Sequence, residues 1–415
     1  MEIKLKPFVP NGEINPPSSK SYCHRYLICA FIANKPFTIY NFNFCDDTIA
    51  TLNGLKELGG LFEIENNTVK FIKRTALDKK IIIDTKASAS TLRMLLPIAC
   101  YLYDDVTFVG EESLFLRPLD VYEDILKINK IPYDKTEKSI HIKKKLRATK
   151  FSFRGDVSSQ FVTGLMFYSL LSDKDVLLDL TTPLVSSGYV TMTIDVLNEF
   201  GESIRHSKES EYEVKGNNAL LEEKFIETDY SSVSYFAILG ALKGGVKINY
   251  LNLNSFQPDL RIFSLLKNMG AKFEVIGDSV TFQKADLCCF NVDISNSIDL
   301  GPTLFVLASL VKGQSIITGV NRLIIKETNR LKAMIDELSF AGVDISLSND
   351  TVIINGKQSY EGKVIFNTYG DHRIAMALSI FSVVSGVEAT IENIECVTKS
   401  YPNFFKDLEG LNKWK

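Results

Sequence analysis

Lys20, Ser21 and Arg25 stand within six residues of one another in PPSSKSYCHR, directly behind two prolines and two serines. Cations and hydroxyls crowded at the start of a segment make an anion cradle, because ammonium and guanidinium groups give charge-assisted bonds and hydroxyls fill the gaps between them. Two later stretches repeat the arrangement with neutral donors. KASASTLR, 86–93, follows the strand-like IIID and runs into the apolar LRMLLPIACYL. That joint predicts a helix start whose amides face an anion, with Arg93 nearby, or one capped by Ser88, Ser90 or Thr91. RGDVSSQF, 154–161, places Ser158, Ser159 and Gln160 ahead of FVTGLMFYSLL. Two hydroxyls and an amide suit a phosphate or a polyol, whereas an N-cap accounts for only one serine.

Carboxylates join the cations in the second half. IIKETNR predicts a helix start with Lys326 and Arg330 at i and i+4 and Glu327 on the same face. TYGDHRIAMALSIF sets Asp371, His372 and Arg373 at the head of an apolar helix, with Asp371 in the N-cap position. In SIDLGPTLFVLASL, Asp299 leads a long apolar run, where a carboxylate costs stability unless it caps or acts. TKSYP adds Lys399 before a proline break. Lys20, Arg25, Arg117, Lys326, Arg330, Arg373 and Lys399 are thus cations at segment joints, with Asp299 and Glu327 the acids similarly placed. Such a set suits two small polyanions, with one or two carboxylates for proton transfer.

The elements that must carry these groups recur. LKELGGLFEI, LKINKIPYD, LNEFGESI, LKNMGAKFEV, DELSFAGVDI and KDLEGLN each end a helical pattern and, in most, open a strand. The residues at the joint are Gly59, Asn129, Gly201, Gly270, Gly342 and Gly410, spaced 70, 72, 69, 72 and 68 residues apart. Gly and Asn most readily take the left-handed conformation that closes a helix. A fixed period signals a repeated supersecondary unit, here one of two helices and several short strands.

Composition bounds the rest. A chain of 415 residues, 45% hydrophobic and 23% charged, can bury more than one core and predicts two domains. A net charge of -3 gives no global field for nucleic acid or an anionic membrane, so anions must be met by local clusters. Seven cysteines without regular spacing or a C-x-x-C pair argue against a disulfide framework or a zinc site and fit the cytoplasm. Cys288 and Cys289, in LCCFNV, read as core of an apolar strand. MEIKLKPFVP alternates like a strand and lacks the pattern of a signal peptide, and no apolar run approaches the ~20 residues of a membrane helix.

Read in order, PPSSKSYCHR, FCDDTIATLNGLKELGG, SASTLRMLLP, LRPL, VSSQF, LVSSGY, DYSSVSYF, IDLGP, KETNR, YGDHR and TKSYP resemble the 5-enolpyruvylshikimate-3-phosphate synthases, of the enolpyruvyl transferases, along the whole chain. The resemblance implies an α/β fold, a two-domain inside-out α/β barrel of six βαβαββ-like repeats of about 70 residues, three per domain. It implies an N-terminal domain over 15–227 and a C-terminal domain over 1–14 plus 228–415, with the active site in the cleft between them. The activity implied is transfer of the enolpyruvyl group of phosphoenolpyruvate to the 5-hydroxyl of shikimate 3-phosphate, releasing phosphate by addition and elimination. No cofactor and no metal is implied. The partners are the two small substrates, with no nucleic acid and no membrane, for a monomer.

By the same resemblance Lys20, Ser21, Arg25, Ser158, Ser159, Gln160, Ser186, Tyr189, Asp299 and Lys326 hold shikimate 3-phosphate. Lys20, Ala89, Arg117, Gln160, Arg330, Arg373 and Lys399 surround phosphoenolpyruvate. Asp299 is the implied base, and Glu327 with Lys20 carries the other proton transfers. Ala89 stands where many members have glycine, and its methyl would intrude beside the phosphoenolpyruvate site, implying reduced sensitivity to glyphosate. Ala87, Met94 and Ile298 replace a frequent Asn, Pro and Pro and alter local loop shape. Two other readings are a UDP-N-acetylglucosamine enolpyruvyl transferase, whose usual catalytic-loop Cys motif is not evident here, and a non-catalytic paralogue that binds phosphorylated metabolites.

Overall fold

The structure, a computed structural model, describes residues 1–201, 203–208, 210–215 and 221–412. The chain divides into two units, Ser18–Ile226 and Met1–Pro17 with Glu227–Lys415. Each has its own apolar core. The unit Ser18–Ile226 holds helices α1 (Lys20–Ala33), α2 (Asp46–Glu57), α3 (Ala89–Leu102), α4 (Glu112–Phe115), α5 (Asp120–Ile128), α6 (Ser159–Ser169) and α7 (Ser187–Glu199). The other unit holds α8 (Tyr230–Lys243), α9 (Arg261–Asn268), α10 (Gly301–Leu310), α11 (Arg330–Phe340), α12 (His372–Ser385) and α13 (Phe404–Gly410). The fold is mixed α/β.

The sheets share one pairing scheme. Ile81–Asp84 runs parallel to Val106–Val109, which pairs antiparallel with Ser139–Ile142, whose other neighbour is the antiparallel Tyr133–Lys135. Lys150–Phe153, Val176–Leu180, Glu211–Lys215 and Ser203–Lys208 pair in the same order. So do Asn291–Asp293, Gly313–Thr318, Thr351–Gly356 and Asp344–Ser348. In two sheets the first, parallel strand comes from a distant part of the chain. Glu223–Phe225 lies beside Phe37–Tyr40, and Gly12–Ile14 beside Val246–Ile248. Glu2–Leu5 pairs antiparallel with Glu388–Glu392, completing a sheet with Lys363–Phe366. The first strand is thus where the alternating MEIKL predicts one.

The central helices are buried almost all round, as their unbroken apolar runs require. In α3, residues Thr91 to Cys100 are buried without interruption, and α6 is buried from Phe161 to Ser169. A proline and a glycine fix how these two helices meet. Pro97 has no N–H to give to the carbonyl of Arg93, and that oxygen instead accepts the Tyr122 hydroxyl at 2.5 Å. On α6, a side chain at Gly164 would bring its first carbon within 2.4 Å of the same carbonyl, so only glycine permits the approach. This contact carries Arg93 and Gln160 to within reach of each other.

The helix stops correct part of the sequence reading. Gly59, Gly201, Gly270 and Gly342 take the left-handed conformation just past α2, α7, α9 and α11, as expected. Asn129 does not. It caps α5 with φ −86°, and the left-handed residue is Lys130, whose hydrophilic side chain gave no signal. Gly410 is the last residue of α13 rather than the residue beyond it. Cys288 and Cys289 are also misread. Both are exposed, in the segment between the strands Ser279–Gln283 and Asn291–Asp293, and Phe290 rather than either cysteine turns inward. Among the described residues no helix is long and apolar enough to cross a membrane.

Candidate active site

In the unit Ser18–Ile226 the candidate residues gather on the first turns of helices. Ser19 caps α1, so Lys20 opens the helix with Ser21 behind it. Ser88 caps α3 and Ala89 is its first residue. Ser158 caps α6, followed by Ser159 and Gln160, and Ser186 precedes α7 in a left-handed conformation at φ 53°. Four helix N-termini therefore present amides and hydroxyls, the arrangement that favours anions.

Side chains tie these turns to one another. Lys20 Nζ lies 2.7 Å from Asp47 Oδ2 at the start of α2. Gln160 accepts from Arg93 at 3.0 Å and donates to Ser90 at 2.9 Å, joining α6 to α3. Arg93 also donates to the carbonyl of Pro118 at 2.8 Å, next to Arg117. Arg25 is buried and spans α1 and α7, donating to Ser21 O at 2.7 Å, Tyr189 O at 2.8 Å and Thr193 Oγ1 at 2.9 Å. Burial lowers its guanidinium to about 10. These bonds use one hydrogen on each of its nitrogens and leave one on each terminal nitrogen for a ligand. Lys20, Arg25, Arg93 and Arg117 are the cations of this set, and Asp47 is the carboxylate paired with Lys20.

The other unit carries an ion-pair network centred on Asp299. Its carboxylate lies 3.0 Å from Lys326, 3.4 Å from Arg330 and 2.9 Å from Arg373. Burial opposes its charge, yet Arg373, Lys326 and Arg330 together hold it well below the usual carboxylate range. Lys326 is lowered as well, which for an ammonium disfavours the charge. Burial brings it down to about 8, with Asp299 opposing and Arg330 and Arg322 assisting. Arg330 also binds Glu327 at 2.5 Å and Asp371 at 2.8 Å. Asp371 is the N-cap of α12 as well, accepting from the amide of Arg373 at 2.8 Å. The Arg330 and Asp371 side chains are 1% and 0% exposed. Tyr235 of α8, fully buried, faces this pair of arginines. Burial raises its hydroxyl to about 12 against the opposing charges of Arg373 and Arg330. Lys399 is buried at the end of the turn Ile394–Lys399.

The residues expected from the sequence are thus drawn into two sets, but not always on the elements expected. Lys326 and Glu327 do not lie on a helix face. Asn329 caps α11 by accepting from the Lys332 amide, so the helix begins only at Arg330. Asp299 does not cap α10, whose N-cap position is Leu300, and spends its oxygens on cations. Asp47 and Tyr235 were not anticipated. An Asp-Asp pair at a helix start reads as a favourable first turn, which hides the partner of Lys20.

A family model described as EPSP synthase (3-phosphoshikimate 1-carboxyvinyltransferase) matches residues 9–408. The 3-phosphoshikimate 1-carboxyvinyltransferase of Clostridium kluyveri is 39% identical over 414 residues, spanning 99% of this chain and 97% of its own length. The chain belongs to the EPSP synthase family. Another enzyme of that name, from Clostridium novyi, is 39% identical over 420 residues, covering 98% of this chain and 96% of its own. Among solved structures, an EPSP synthase from Acinetobacter baumannii matches with a TM-score of 0.81 at 21% identity, over 99% of this chain and 98% of that one. The enolpyruvyl transferase NikO from Streptomyces tendae matches with a TM-score of 0.78 at 16% identity, over 99% and 96%. These structures share the fold of the EPSP synthase family.

Arg25 gives this site a ligand-free test. Lysine in its place reaches one of three separated acceptors, one of them buried and two part-buried, so Arg25→Lys is expected to destabilise the unit Ser18–Ile226 by about 2–4 kcal/mol without substrate. Urea unfolding measures it, and unchanged stability would remove the bracket between α1 and α7.

Proposed function

We propose that the chain transfers the enolpyruvyl group of phosphoenolpyruvate to the 5-hydroxyl of shikimate 3-phosphate, as a member of its family would. The observation that carries the reading is Asp299, an ionised carboxylate gripped by Lys326, Arg330 and Arg373 beside Glu327. Cations suit the donor's phosphate and carboxylate, and the acids suit the proton transfers. Arg330, Arg373 and Lys399, with Lys20, Arg117, Gln160 and Ala89, bind phosphoenolpyruvate. Ser21, Arg25, Ser158, Ser159, Gln160, Ser186 and Tyr189, with Lys20, Asp299 and Lys326, hold shikimate 3-phosphate. The chemistry requires both sets on one pair of substrates.

In the addition step the 5-hydroxyl oxygen bonds to C2 of phosphoenolpyruvate, its proton passes to Asp299, and C3 gains a proton to become a methyl group. In the elimination step that methyl group loses a proton and the C2–O bond to phosphate breaks. Glu327 and Lys20 serve the proton traffic at C3. Without substrates Asp299 is a weak base because three cations hold its proton affinity down. Two bound polyanions take up those cations, which raises the affinity when the acceptor hydroxyl is present.

The scaffold we infer is a two-domain inside-out α/β barrel of six repeats, for which the recurrent parallel and antiparallel pairing of the sheets is the support. The chain acts as a monomer on small molecules in the cytoplasm; the net charge of -3 supports the absence of nucleic-acid and membrane partners, and the seven scattered cysteines support the compartment. Nothing favours the aminosugar transferase or the non-catalytic reading over this one.

Phosphate release from the purified protein tests the proposal. Release requiring both substrates, and lost in Asp299→Ala, is expected. Saturable binding of shikimate 3-phosphate without release would instead favour the non-catalytic reading. Lys326 adds a pH signature. It is charged below about pH 8 and neutral above, so kcat/KM for shikimate 3-phosphate should fall as pH rises through that value, while Lys326→Arg shows no such limb. A flat wild-type profile up to pH 9.5 or so would detach Lys326 from substrate binding. Finally, the Ala89 methyl predicts activity at micromolar glyphosate under low phosphoenolpyruvate, and sensitivity in Ala89→Gly. Equal inhibition of both proteins would contradict it.

A further inference from the structure

A buried polar column outside the substrate-binding set runs through the unit Ser18–Ile226. His24 of α1, Thr51 of α2 and Thr91 of α3 are 1%, 0% and 0% exposed. His24 Nδ1 lies 2.8 Å from Thr51 Oγ1, and Thr51 Oγ1 lies 2.7 Å from Thr91 Oγ1. Thr91 Oγ1 donates at 2.9 Å to Ser88 Oγ or at 3.2 Å to the carbonyl of Asp47. Ser88 is the N-cap of α3 and Asp47 is the partner of Lys20. The column therefore ends on two groups that border the candidate site.

Hydrogen counting gives the column a direction. Each hydroxyl has one proton to donate. Were Thr91 to donate to Thr51, neither outward contact would form and the imidazole hydrogen would sit on Nε2, buried without an acceptor, so Thr91 donates outward and its proton is used. Thr51 must then donate to Thr91. With that proton used, Thr51 Oγ1 accepts from His24, and the imidazole hydrogen sits on Nδ1. Nε2 is left as a bare acceptor, and it is buried without a hydrogen-bond partner.

The surrounding charges agree with a neutral ring. Burial, with Lys20 and Arg25 assisting and Asp47 opposing, lowers the imidazole to about 3. The ring is therefore a fixed donor throughout the neutral pH range, and the direction of the column does not change there.

We propose that His24, acting through Thr51, is a positioning residue for the first turn of α3, which carries Ala89 and Ser90. The column holds Thr91, and with it the Ser88 cap, against the end of α2 that anchors Lys20. No pattern in the sequence marks it, since its three members lie on three helices and each reads as ordinary core or cap. The inference rests on the proposed function, in which Ala89 and the Ser90-bound Gln160 border phosphoenolpyruvate.

Two measurements test it, the first of them independent of that function. Nitrogen-15 NMR of the wild-type protein should show His24 neutral at pH 6, protonated on Nδ1 and bare on Nε2, and this needs no substrate. A ring protonated on Nε2 would overturn the direction of the column. Thr51→Val removes the relay at nearly constant volume and should raise KM for phosphoenolpyruvate roughly 10- to 100-fold, and KM for shikimate 3-phosphate by clearly less, because Ala89 belongs to the phosphoenolpyruvate set alone. Thr51→Ser should restore the wild-type value. A valine variant with both KM values unchanged, or with both raised alike, would overturn the positioning role. Absence of turnover in the wild type would instead count against the proposed function, leaving the NMR result to judge the column.

Discussion

The ion pair between Arg330 and Asp371 is the interaction on which one half of the site depends. Both side chains are essentially removed from water, and a buried pair of this kind adds little stability over a well-packed apolar pair, because desolvation cancels most of the attraction. Breaking it by removing one partner is costly, about 3–5 kcal/mol, since a charge is left stranded. Its consequence is placement. Asp371 holds the first residue of α11 and caps α12 with the same carboxylate, so the guanidinium of Arg330 and the backbone of Arg373 are fixed together. Asp299, Glu327 and Lys326 then fall around a frame built from buried groups.

The other half is held by a different device. The first turns of α1, α3, α6 and α7 carry the polar groups, and the links Arg25 to Tyr189, Gln160 to Ser90, Arg93 to Gln160 and Lys20 to Asp47 keep those turns in register. Exposed amides at helix starts attract anions only weakly one at a time. Several held side by side with Lys20 and Arg117 make a field that a dianion would satisfy. The cost falls on the core behind them, where Gly164 and Pro97 let α3 and α6 approach closely enough for Gln160 to reach Ser90.

Much of this was legible in the sequence, and the failures have physical reasons. Glycine stops at Gly59, Gly201, Gly270 and Gly342 could be read because glycine is cheap in the left-handed region. Lys130 takes the same conformation with no such signature, and the pattern points to its neighbour Asn129 instead. Cys288 and Cys289 looked like core because sulfur and neighbouring apolar residues suggest burial, while exposure depends on which strand edges lie nearby. The spacing of Lys326 and Glu327 predicts a shared helix face, but an N-cap at Asn329 takes precedence over it. Asp371 could be seen as a cap and not as the partner of Arg330, since that contact joins residues 41 positions apart. Local pattern reaches the ends of helices. It does not reach the pairs that bring those ends together.

A double-mutant cycle on Arg330→Lys and Asp371→Asn is the most direct test of the claim that their buried pair organises the site. The quantity to measure is kcat/KM for phosphoenolpyruvate in each single variant and in the double variant. The account predicts strong non-additivity, with either single change losing nearly as much as both together. Losses that simply add would show two independent residues and contradict it.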